Sequence, residues 1–495
     1  MLEKVDLDES MPCEKYSEIS KKLKARLSSL QQPVKQGGLP VIILFEGWGA
    51  SGKGSLISKL ILNFDPRGFK VYSVIEPTAL EKREPVLWRY WTKVPKRGQM
   101  AVFDQSWYYD VYGGCGGVTD AAALRRLEDI KTFERQLTDD GYLIIKFFIH
   151  VSKKEQKERF EKLCRDKNTA WRVTELDWQT NRLYGKYCKV FDKMLESTDT
   201  PNAPWHVISG TDKKLAAVRI YGITADSIGA ALKKLEDKNT AADITKSSIY
   251  PGKYNFIHMP KLSDVPLDKK LPEDVYKKAL KEKQKILMEL HGKIYRKKVP
   301  VIIAYEGWDA AGKGGNIRRV AKALDPRGYE VVPIAAPSPD EKARNYLWRF
   351  WVNLPRDGHV TIFDRTWYGR VMVERIEGFC SENDWRRAYR EINEFERGLY
   401  AWGAVIIKFW LQIDKDEQLR RFQQRQNTPS KRWKITDEDW RNREKWDVYE
   451  NCVNEMIKYT STDFAPWHII ESQDKKYARV KALDTIINTV MDKFK

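Results

Sequence analysis

A glycine-rich stretch at residues 307–314, GWDAAGKG, carries the clearest chemical signal in the sequence. Its spacing is the GxxxxGK of a phosphate-binding loop, in which backbone N–H groups surround phosphate oxygens. The lysine of such a loop, here Lys313, neutralises phosphoryl charge. We therefore expect the backbone of this stretch to bind phosphate, at Gly307, Ala310, Ala311, Gly312 and Gly314.

The loop departs from the usual pattern at the residue after the lysine. A serine or threonine there normally holds magnesium, but this chain has Gly314. Mg²⁺ prefers oxygen ligands and needs only one or two carboxylates besides water and phosphate. We predict that Asp309 in the loop and Asp364 at the end of a later strand hold Mg²⁺ as a cofactor. The alternative is that Asp309 only caps the following helix.

Two arginines follow Asp364 in the segment FDRTWYGR. The planar guanidinium groups of Arg365 and Arg370 suit phosphate oxygens, so we expect them to bind the acceptor or the transferred phosphoryl group. A structural pairing with a carboxylate is the alternative for either arginine. The predicted catalytic residues are Asp309, Lys313, Asp364, Arg365 and Arg370.

Residues 419–434, LRRFQQRQNTPSKRWK, contain six basic residues and no acidic one. They fall within a segment, about 415–445, that we predict to form a helical lid, because nucleotide kinases close such lids to exclude water and bring arginine to the phosphate. Arg421 and Arg425 lie four residues apart, on one helix face. We expect phosphate binding by Arg421, Arg425, Lys431 and Lys434, with a solvated helix face as the alternative.

The elements that must position these residues alternate between strands and helices. Short apolar runs at 299–307, 329–335, 359–365 and 404–413 predict buried strands, and apolar residues at helical spacing mark 315–324 and 384–403 as helices. Continuous apolar strands separated by helices are typical of a parallel sheet that is covered on both faces. The sequence therefore predicts an α/β fold whose strand ends carry the loop and Asp364.

The chain contains this unit twice. Between residues 41–110 and 301–370 we count 29 identical residues in 70 ungapped positions, far more than chance would give. After a two-residue gap the match continues, for example between Pro204-Trp205-His206 and Pro466-Trp467-His468. We predict tandem domains at 1–234 and 275–495, joined by a polar, proline-containing linker at 235–274. Such a chain is a pseudo-dimer by itself, and further assembly into a homo-oligomer stays open.

The composition indicates which class of partner the protein binds and in which compartment we expect it. The 88 basic and 69 acidic residues give a net charge of +19, which favours a polyanionic partner. We find neither an apolar run of about 18 residues nor a secretory signal, so we expect no membrane association. The six cysteines are scattered and form no CxxC pair, as in a reduced cytoplasmic protein without a zinc site.

The ordered set of motifs resembles the polyphosphate kinase 2 family. The set is GxDxxGKG, DPRG, a segment from Pro337 to Trp351 that ends in LWRFW, FDRxWYxR, and WKxxxxDW from Trp433 to Trp440. It covers nearly all of both copies. The resemblance implies three-layer α/β/α domains of the P-loop, thymidylate-kinase-like type, with helical lids and Mg²⁺.

The family resemblance also implies a reaction. Two fused copies are similar to the family members that move the terminal phosphoryl group of inorganic polyphosphate onto AMP to give ADP, whereas single-copy members often use ADP. The substrates we expect are therefore polyphosphate and AMP, or ADP in its place. Phosphoryl transfer needs mainly positioning and charge neutralisation, and the chain offers no evident nucleophile, so we expect direct in-line transfer.

Two other functions remain as alternatives. An ATP-dependent nucleotide kinase would normally carry GK followed by serine or threonine, which Gly314 does not match. The other alternative is a nucleic-acid-binding or regulatory protein whose phosphate loops only sense nucleotide, which would need a basic face rich in aromatic residues. Most tryptophans instead recur at matched positions, such as Trp91 and Trp351, which is typical of a core. We therefore expect no nucleic acid as a partner.

The two copies are not equivalent at the predicted catalytic positions. Asp309 corresponds to Gly49, Arg365 to Gln105, and Arg370 to Asp110, a reversal of charge. The first copy keeps Lys53 and Asp104, but its lid window, 157–172, contains three acidic residues that the second copy lacks. A carboxylate near phosphate repels it. We therefore predict that the C-terminal copy is catalytic and that the N-terminal copy has little or no activity.

This assignment predicts the effect of two substitutions. Asp309→Asn should abolish most turnover, because it removes a predicted metal ligand, whereas Lys53→Ala should change turnover little. Steady-state rates of the two purified variants test the assignment. Loss of activity in Lys53→Ala alone would show that the N-terminal copy does the chemistry.

Overall fold

The computed structural model describes residues 1–112, 121–240 and 248–495, apart from the side chains of residues 121, 122, 238–240 and 434. The chain divides into two compact units. The first comprises Met1–Pro77, Tyr90–Ile244 and Ala343–Asn345, and the second comprises Thr78–Arg89, Thr245–Lys342 and Tyr346–Lys495. Each unit contains one five-stranded sheet, so the predicted tandem duplication is confirmed.

All strand pairs within the two sheets are parallel. The strands of the N-terminal unit are β1 (Val41–Gly47), β2 (Phe69–Ser73), β3 (Met100–Asp104), β4 (Leu143–His150) and β5 (Trp205–Ser209). Those of the C-terminal unit are β6 (Val301–Gly307), β7 (Tyr329–Pro333), β8 (Val360–Asp364), β9 (Val405–Gln412) and β10 (Trp467–Glu471).

Helices connect the strands in both units. In the N-terminal copy they are α1 (Cys13–Gln36), α2 (Lys53–Ile61), α3 (Trp88–Trp91), α4 (Tyr109–Tyr112), α5 (Ala121–Asp139), α6 (Lys153–Arg165), α7 (Glu175–Arg182), α8 (Tyr184–Thr198) and α9 (Lys213–Thr240). In the C-terminal copy they are α10 (Glu273–Lys297), α11 (Lys313–Ala321), α12 (Pro339–Lys342), α13 (Trp348–Trp351), α14 (Val373–Ile376), α15 (Glu382–Trp402), α16 (Lys415–Gln426), α17 (Asp437–Glu444), α18 (Trp446–Thr460) and α19 (Lys475–Asp492). Short 3₁₀ helices lie at Leu2–Lys4, Pro66–Gly68, Glu81–Arg83, Ala170–Arg172, Leu262–Asp264, Trp367–Val371 and Pro429–Lys434.

The order of the strands places β6 at the centre of its sheet. The sheet runs β10-β9-β6-β8-β7, and the N-terminal sheet has the corresponding order β2-β3-β1-β4-β5. Every residue of β9 is buried, and so is every residue of β6 up to Glu306, which explains why these strands read as continuous apolar runs. Ligands bind in such sheets outside the carboxyl ends of the strands, where neighbouring connections diverge. The stretch 307–314 leaves β6 at this point, and Tyr305 pairs with Asp364 of β8.

A buried ion pair holds the segment that follows β8. Lys408 on β9 donates to Glu396 at 2.8 Å, and neither side chain has solvent-accessible surface. Glu396 also accepts hydrogen bonds from the Trp367 indole at 3.0 Å and the Tyr368 hydroxyl at 2.6 Å. The N-terminal copy has the same arrangement, with Lys146 and Glu134 2.8 Å apart. Buried charges of this kind persist only when they are paired and fully hydrogen-bonded.

The segment between the two repeats contains helical structure as well as irregular chain. Helix α9 extends to Thr240, and α10 begins at Glu273. Between them, Leu262 is buried and its 3₁₀ helix matches Leu2–Lys4 at the start of the chain, 260 residues earlier. The segment assigned to the linker from the sequence therefore contains a 3₁₀ helix, Leu262–Asp264, at the position equivalent to Leu2–Lys4. The exact domain boundaries stay a prediction.

One helix within the described residues, Lys213–Asp237, is long and apolar enough to cross a membrane by length and composition. Half of its most apolar window is buried inside the protein. Ala217, Ile220, Ala225 and Ile228 from this helix belong to the hydrophobic core of the N-terminal unit. Packing against that core accounts for its hydropathy. The five cysteines that the structure describes are free thiols.

Candidate active site

The loop between β6 and α11 has positive φ angles, which most residue types other than glycine rarely adopt. Gly307 has φ 146°, and a Cβ atom there would lie 2.7 Å from the carbonyl oxygen of Leu411 on β9. Ala310 and Gly312 also have positive φ, at 62° and 113°. No side chain caps α11 at Gly312, so the first N–H groups of the helix are available to an anion.

Lys313 folds back over the loop. Its ammonium donates to the carbonyl oxygens of Gly307 at 2.6 Å and Trp308 at 3.4 Å. The corresponding Lys53 makes the same contacts with Gly47 and Trp48, at 3.0 and 2.9 Å. The lysine ammonium therefore lies over the start of the loop in both copies.

Asp309 is held by two side chains from other elements. Asn442 on α17 donates to one of its carboxylate oxygens at 3.0 Å, and Arg365 lies 3.4 Å from the other. The carboxylate makes no capping hydrogen bond to α11, whose N-cap residue is Gly312. The alternative role of Asp309 as a helix cap therefore finds no support in these contacts.

Asp364 ends β8 beside the loop, and Arg365 follows it directly. Glu306, the last residue before Gly307, accepts hydrogen bonds from the backbone N–H and the hydroxyl of Thr366, at 2.7 and 2.8 Å. This contact fixes the chain after β8 against β6, and Arg365 adopts a positive φ of 66°. Burial raises the pKa of Glu306, although the charge of Lys313 opposes that shift.

A cavity of about 590 Å³ brings several predicted residues together. Its wall includes Asp309, Lys313, Asp364, Arg365 and Arg425, as well as the loop backbone at Ala310, Ala311, Gly312 and Gly314. From the predicted lid segment, Trp433, Glu438 and Asn442 also line it. A cavity of this size can hold a small organic ligand.

The residues present fit a magnesium ion. Asp309 and Asp364 share this cavity, and the Asp364 carboxylate accepts no hydrogen bond from the part of the chain that the structure describes. No group of three or more His, Cys, Asp or Glu side chains that could hold a metal occurs among the described residues. A preformed cage is not what Mg²⁺ requires, because water and substrate phosphates complete its octahedral shell.

Arg370 lies apart from this cavity. Its guanidinium stacks 4.4 Å from the ring centroid of Tyr346 and forms an ion pair with Glu374 at 2.9 Å. These contacts match the structural pairing that the sequence left as an alternative. Its role as a phosphate ligand stays a prediction.

Arg421 has a different environment from the one expected of a mobile lid residue. Its side chain is 2% exposed, and it donates to the carbonyl oxygens of Ala310 and Ala311, both at 2.9 Å. It also contacts the Ser472 carbonyl oxygen at 2.6 Å and the Glu417 carboxylate at 2.5 Å. In the N-terminal copy Arg159 makes the equivalent contacts with Ala50, Ser51, Gly210 and Glu155. Arg421 therefore braces the loop from behind.

A second cavity, of about 180 Å³, adjoins the first and is strongly basic. The two cavities share four residues in their walls, Ala310, Gly312, Gly315 and Arg425. Among the described residues no acidic one lines the smaller cavity, whose basic residues are Arg421, Arg425, Lys431, Lys475 and Arg479. The side chain of Lys434, the remaining predicted phosphate ligand, lies outside the described residues.

Lys475 and Arg479 were not among the residues predicted from the sequence, and they lie on α19, more than 160 residues after the loop. Burial and the nearby charge of Arg421 lower the pKa of Lys475 to about 8. A comparison of the two copies would have revealed part of this cluster. Arg425, Lys431 and Arg479 correspond to the uncharged residues Leu163, Thr169 and Ala217.

The loop of the N-terminal copy is blocked where Asp309 would lie. A side chain at Gly49 would collide with the carboxylate of Asp177, which α7 carries. The same unit keeps the positive φ of Ala50 and Gly52. The N-terminal copy has therefore retained the shape of the loop but not the charges around it.

Known proteins match the whole chain. The family model described as polyphosphate kinase 2 matches residues 11–236 and again 270–495. A polyphosphate:AMP phosphotransferase from Pseudomonas syringae pv. tomato is 43% identical over 95% of this chain and 93% of its own length. A protein of the same name from Pseudomonas aeruginosa is 40% identical over 100% and 99%. A crystal structure of a polyphosphate kinase 2 from P. aeruginosa superposes with a TM-score of 0.86, at 38% identity, and covers 100% of this chain and 99% of that one.

The bracing role of Arg421 predicts a difference between matched variants. Lysine keeps the charge but cannot reproduce the planar set of contacts, so Arg421→Lys should loosen the loop and lower turnover by about 10- to 100-fold. Arg159→Lys removes the same contacts from the N-terminal loop and should leave turnover nearly unchanged. Rates and thermal unfolding are measured on both. Equal loss of activity at equal loss of stability would contradict a specific role for the C-terminal loop.

Proposed function

Because the chain belongs to the polyphosphate kinase 2 family, we propose that it transfers the terminal phosphoryl group of inorganic polyphosphate to AMP, giving ADP. The reaction takes place in the C-terminal unit. The structural observation that carries this proposal is the basic cavity beside the loop, because the four cationic side chains of Arg425, Lys431, Lys475 and Arg479 line it together and suit a polyanion.

The two adjoining cavities suggest where the two substrates lie. The donor chain occupies the smaller basic cavity, held by Arg425, Lys431, Lys475 and Arg479. The acceptor nucleotide occupies the larger cavity, with its phosphate toward the loop. Residues shared by both walls, among them Gly312 and Arg425, then border the path of the transferred group.

The roles of the side chains follow from charge and position. The N–H groups of the loop and the start of α11 bind phosphate oxygens, and Lys313 leaves the carbonyl oxygens of Gly307 and Trp308 to neutralise them. Arg365 and Arg425 stabilise the charge that spreads over the transferred group. Asp309, held by Asn442, fixes the position of Arg365 before substrate binds.

We also propose Mg²⁺ as the cofactor, with Asp309 and Asp364 as its protein ligands. When bound, the ion would neutralise negative charge on the phosphate oxygens. Both carboxylates line the acceptor cavity, and no histidine or cysteine competes there for a softer metal among the described lining residues.

The N-terminal copy serves a different purpose in this proposal. It lacks the counterparts of Asp309, Arg425 and Arg479, so it contributes stability rather than turnover. Assembly of several chains stays a prediction. We also propose a cytoplasmic location, in keeping with the free thiols of the described cysteines.

The proposal is tested with purified full-length protein, polyphosphate and Mg²⁺, without added ATP. One reaction contains AMP and another ADP, and chromatography resolves the products. We expect ADP to form from AMP, and to disappear with Asp364→Asn but not with the matched Asp104→Asn.

Each other outcome has a distinct meaning. ATP formed from ADP alone would keep polyphosphate as donor and replace the acceptor. Transfer from added ATP, with none from polyphosphate, would overturn the proposal. Loss of activity in Asp104→Asn but not in Asp364→Asn would assign catalysis to the N-terminal unit.

The pKa of Lys475 predicts how donor binding depends on pH. Its ammonium faces Arg420, Arg421, Arg479 and the Glu417 carboxylate, and its pKa is about 8 in the free protein. A bound polyanion favours the charged form and raises this pKa, so binding above pH 8 requires uptake of a proton. We expect KM for polyphosphate to increase by up to about 10-fold per pH unit between pH 8 and 10.

The control for this effect is Lys475→Arg, which keeps the charge at all these pH values. This variant should show a flatter dependence of KM on pH than the unmodified protein, while KM for AMP follows the same course in both. Identical pH profiles for polyphosphate in the two proteins would rule out Lys475 as the titrating group.

A further inference from the structure

Trp433 is an exposed aromatic side chain in a protein that buries or half-buries most of its tryptophans. Of the 18 tryptophans, all within the described residues, only Trp171 and Trp433 are exposed, each by 74%. They occupy equivalent positions in the two copies. Exposed apolar surface of this size is unfavourable in water and commonly marks a place where a ligand binds.

The Trp433 side chain is exposed beside the loop. Its indole N–H donates to the carbonyl oxygen of Ser430 at 3.1 Å, so its one polar atom is bonded within its own 3₁₀ helix. The residue lines the same 590 Å³ cavity as Lys313 and Asp364. The ring is therefore part of the wall of the cavity in which the acceptor phosphate is proposed to bind.

Different parts of the cavity wall differ in charge and polarity. Lys313, Arg365 and Arg425 supply positive charge around the loop. The end of β7 and the residues after it contribute an uncharged stretch, Pro333, Ile334 and Ala335. Glu438 adds an exposed carboxylate. A carboxylate repels phosphate but accepts hydrogen bonds from a ribose hydroxyl or an exocyclic amine. Its N-terminal counterpart is Leu176, which offers no such acceptor.

We propose that Trp433 forms the stacking surface for the nucleobase of the acceptor nucleotide. This inference rests on the proposed function, since it concerns the acceptor end of the same cavity. The phosphate lies at the loop, the ribose near Glu438, and the base against the indole. Stacking on an aromatic ring accepts every base, because each base has a π face.

The test compares Trp433→Ala, Trp433→Phe and Trp171→Ala in the full chain. Trp433→Ala should raise KM for AMP by about 10- to 100-fold and leave KM for polyphosphate unchanged, since stacking of one base accounts for an effect of that size. Trp433→Phe should recover most of the affinity, because phenylalanine keeps an aromatic face. Trp171→Ala is the matched control, and it should leave both KM values unchanged.

Two results would overturn the inference. One is an active Trp433→Ala protein whose KM for AMP stays within twofold of the unmodified value. The other is a parallel increase of both KM values that phenylalanine does not rescue, which would indicate a structural role in the predicted lid segment.

Equilibrium dialysis with AMP alone separates this inference from the proposed function. If the unmodified protein transfers nothing from polyphosphate, the proposed function fails, but AMP binding and its dependence on Trp433 can still be compared. Equal AMP affinity in the unmodified protein and Trp433→Ala would then reject the stacking surface by itself.

Discussion

A peptide group cannot turn its N–H toward an anion without turning its C=O the other way, and the site is built around this constraint. The loop between β6 and α11 presents N–H groups to the cavity, so its carbonyl oxygens face the protein interior and need donors. Arg421 supplies them at Ala310 and Ala311, and the Ser472 hydroxyl adds a further bond to Ala311 at 2.6 Å. The cost of pairing a buried guanidinium is offset by Glu417 on the same helix. Because α16 carries Arg421 and Ser472 follows β10, the loop needs both elements to keep its shape.

The sequence was sufficient for the features that are local in the chain. Continuous apolar runs predicted β6, β8 and β9 within two residues at each end, and the glycine spacing placed the loop correctly after β6. The predicted α/β fold with tandem parallel sheets is confirmed. Arg479 and Lys475 could not be found in this way, since helical periodicity identifies a buried face but not the element that it meets. The same limit applies to Arg421. Its charge predicted phosphate binding, whereas in the structure its guanidinium contacts backbone carbonyl oxygens.

The duplicated chain separates the requirements of folding from those of the site. Both copies keep the buried lysine–glutamate pair, the bracing arginine and the positive φ values of the loop. They differ at Asp309, Arg425 and Arg479, which face the two cavities and contribute little to the core. The fold therefore tolerates loss of the charges, and the N-terminal unit remains a complete α/β domain without them.

The buried pair of Lys408 and Glu396 also limits how such a chain can change over time. Replacing either residue alone leaves a buried charge without its partner, at a cost of about 3–5 kcal/mol. That is a large part of the stability of an ordinary domain, about 5–15 kcal/mol, so intermediates with only one change are rarely viable. The partly exposed cavity residues Asp309, Arg425 and Arg479 face no such barrier and can be exchanged singly. After a duplication, both copies would therefore retain the pair of the common ancestor, while one copy loses the residues needed for the chemistry.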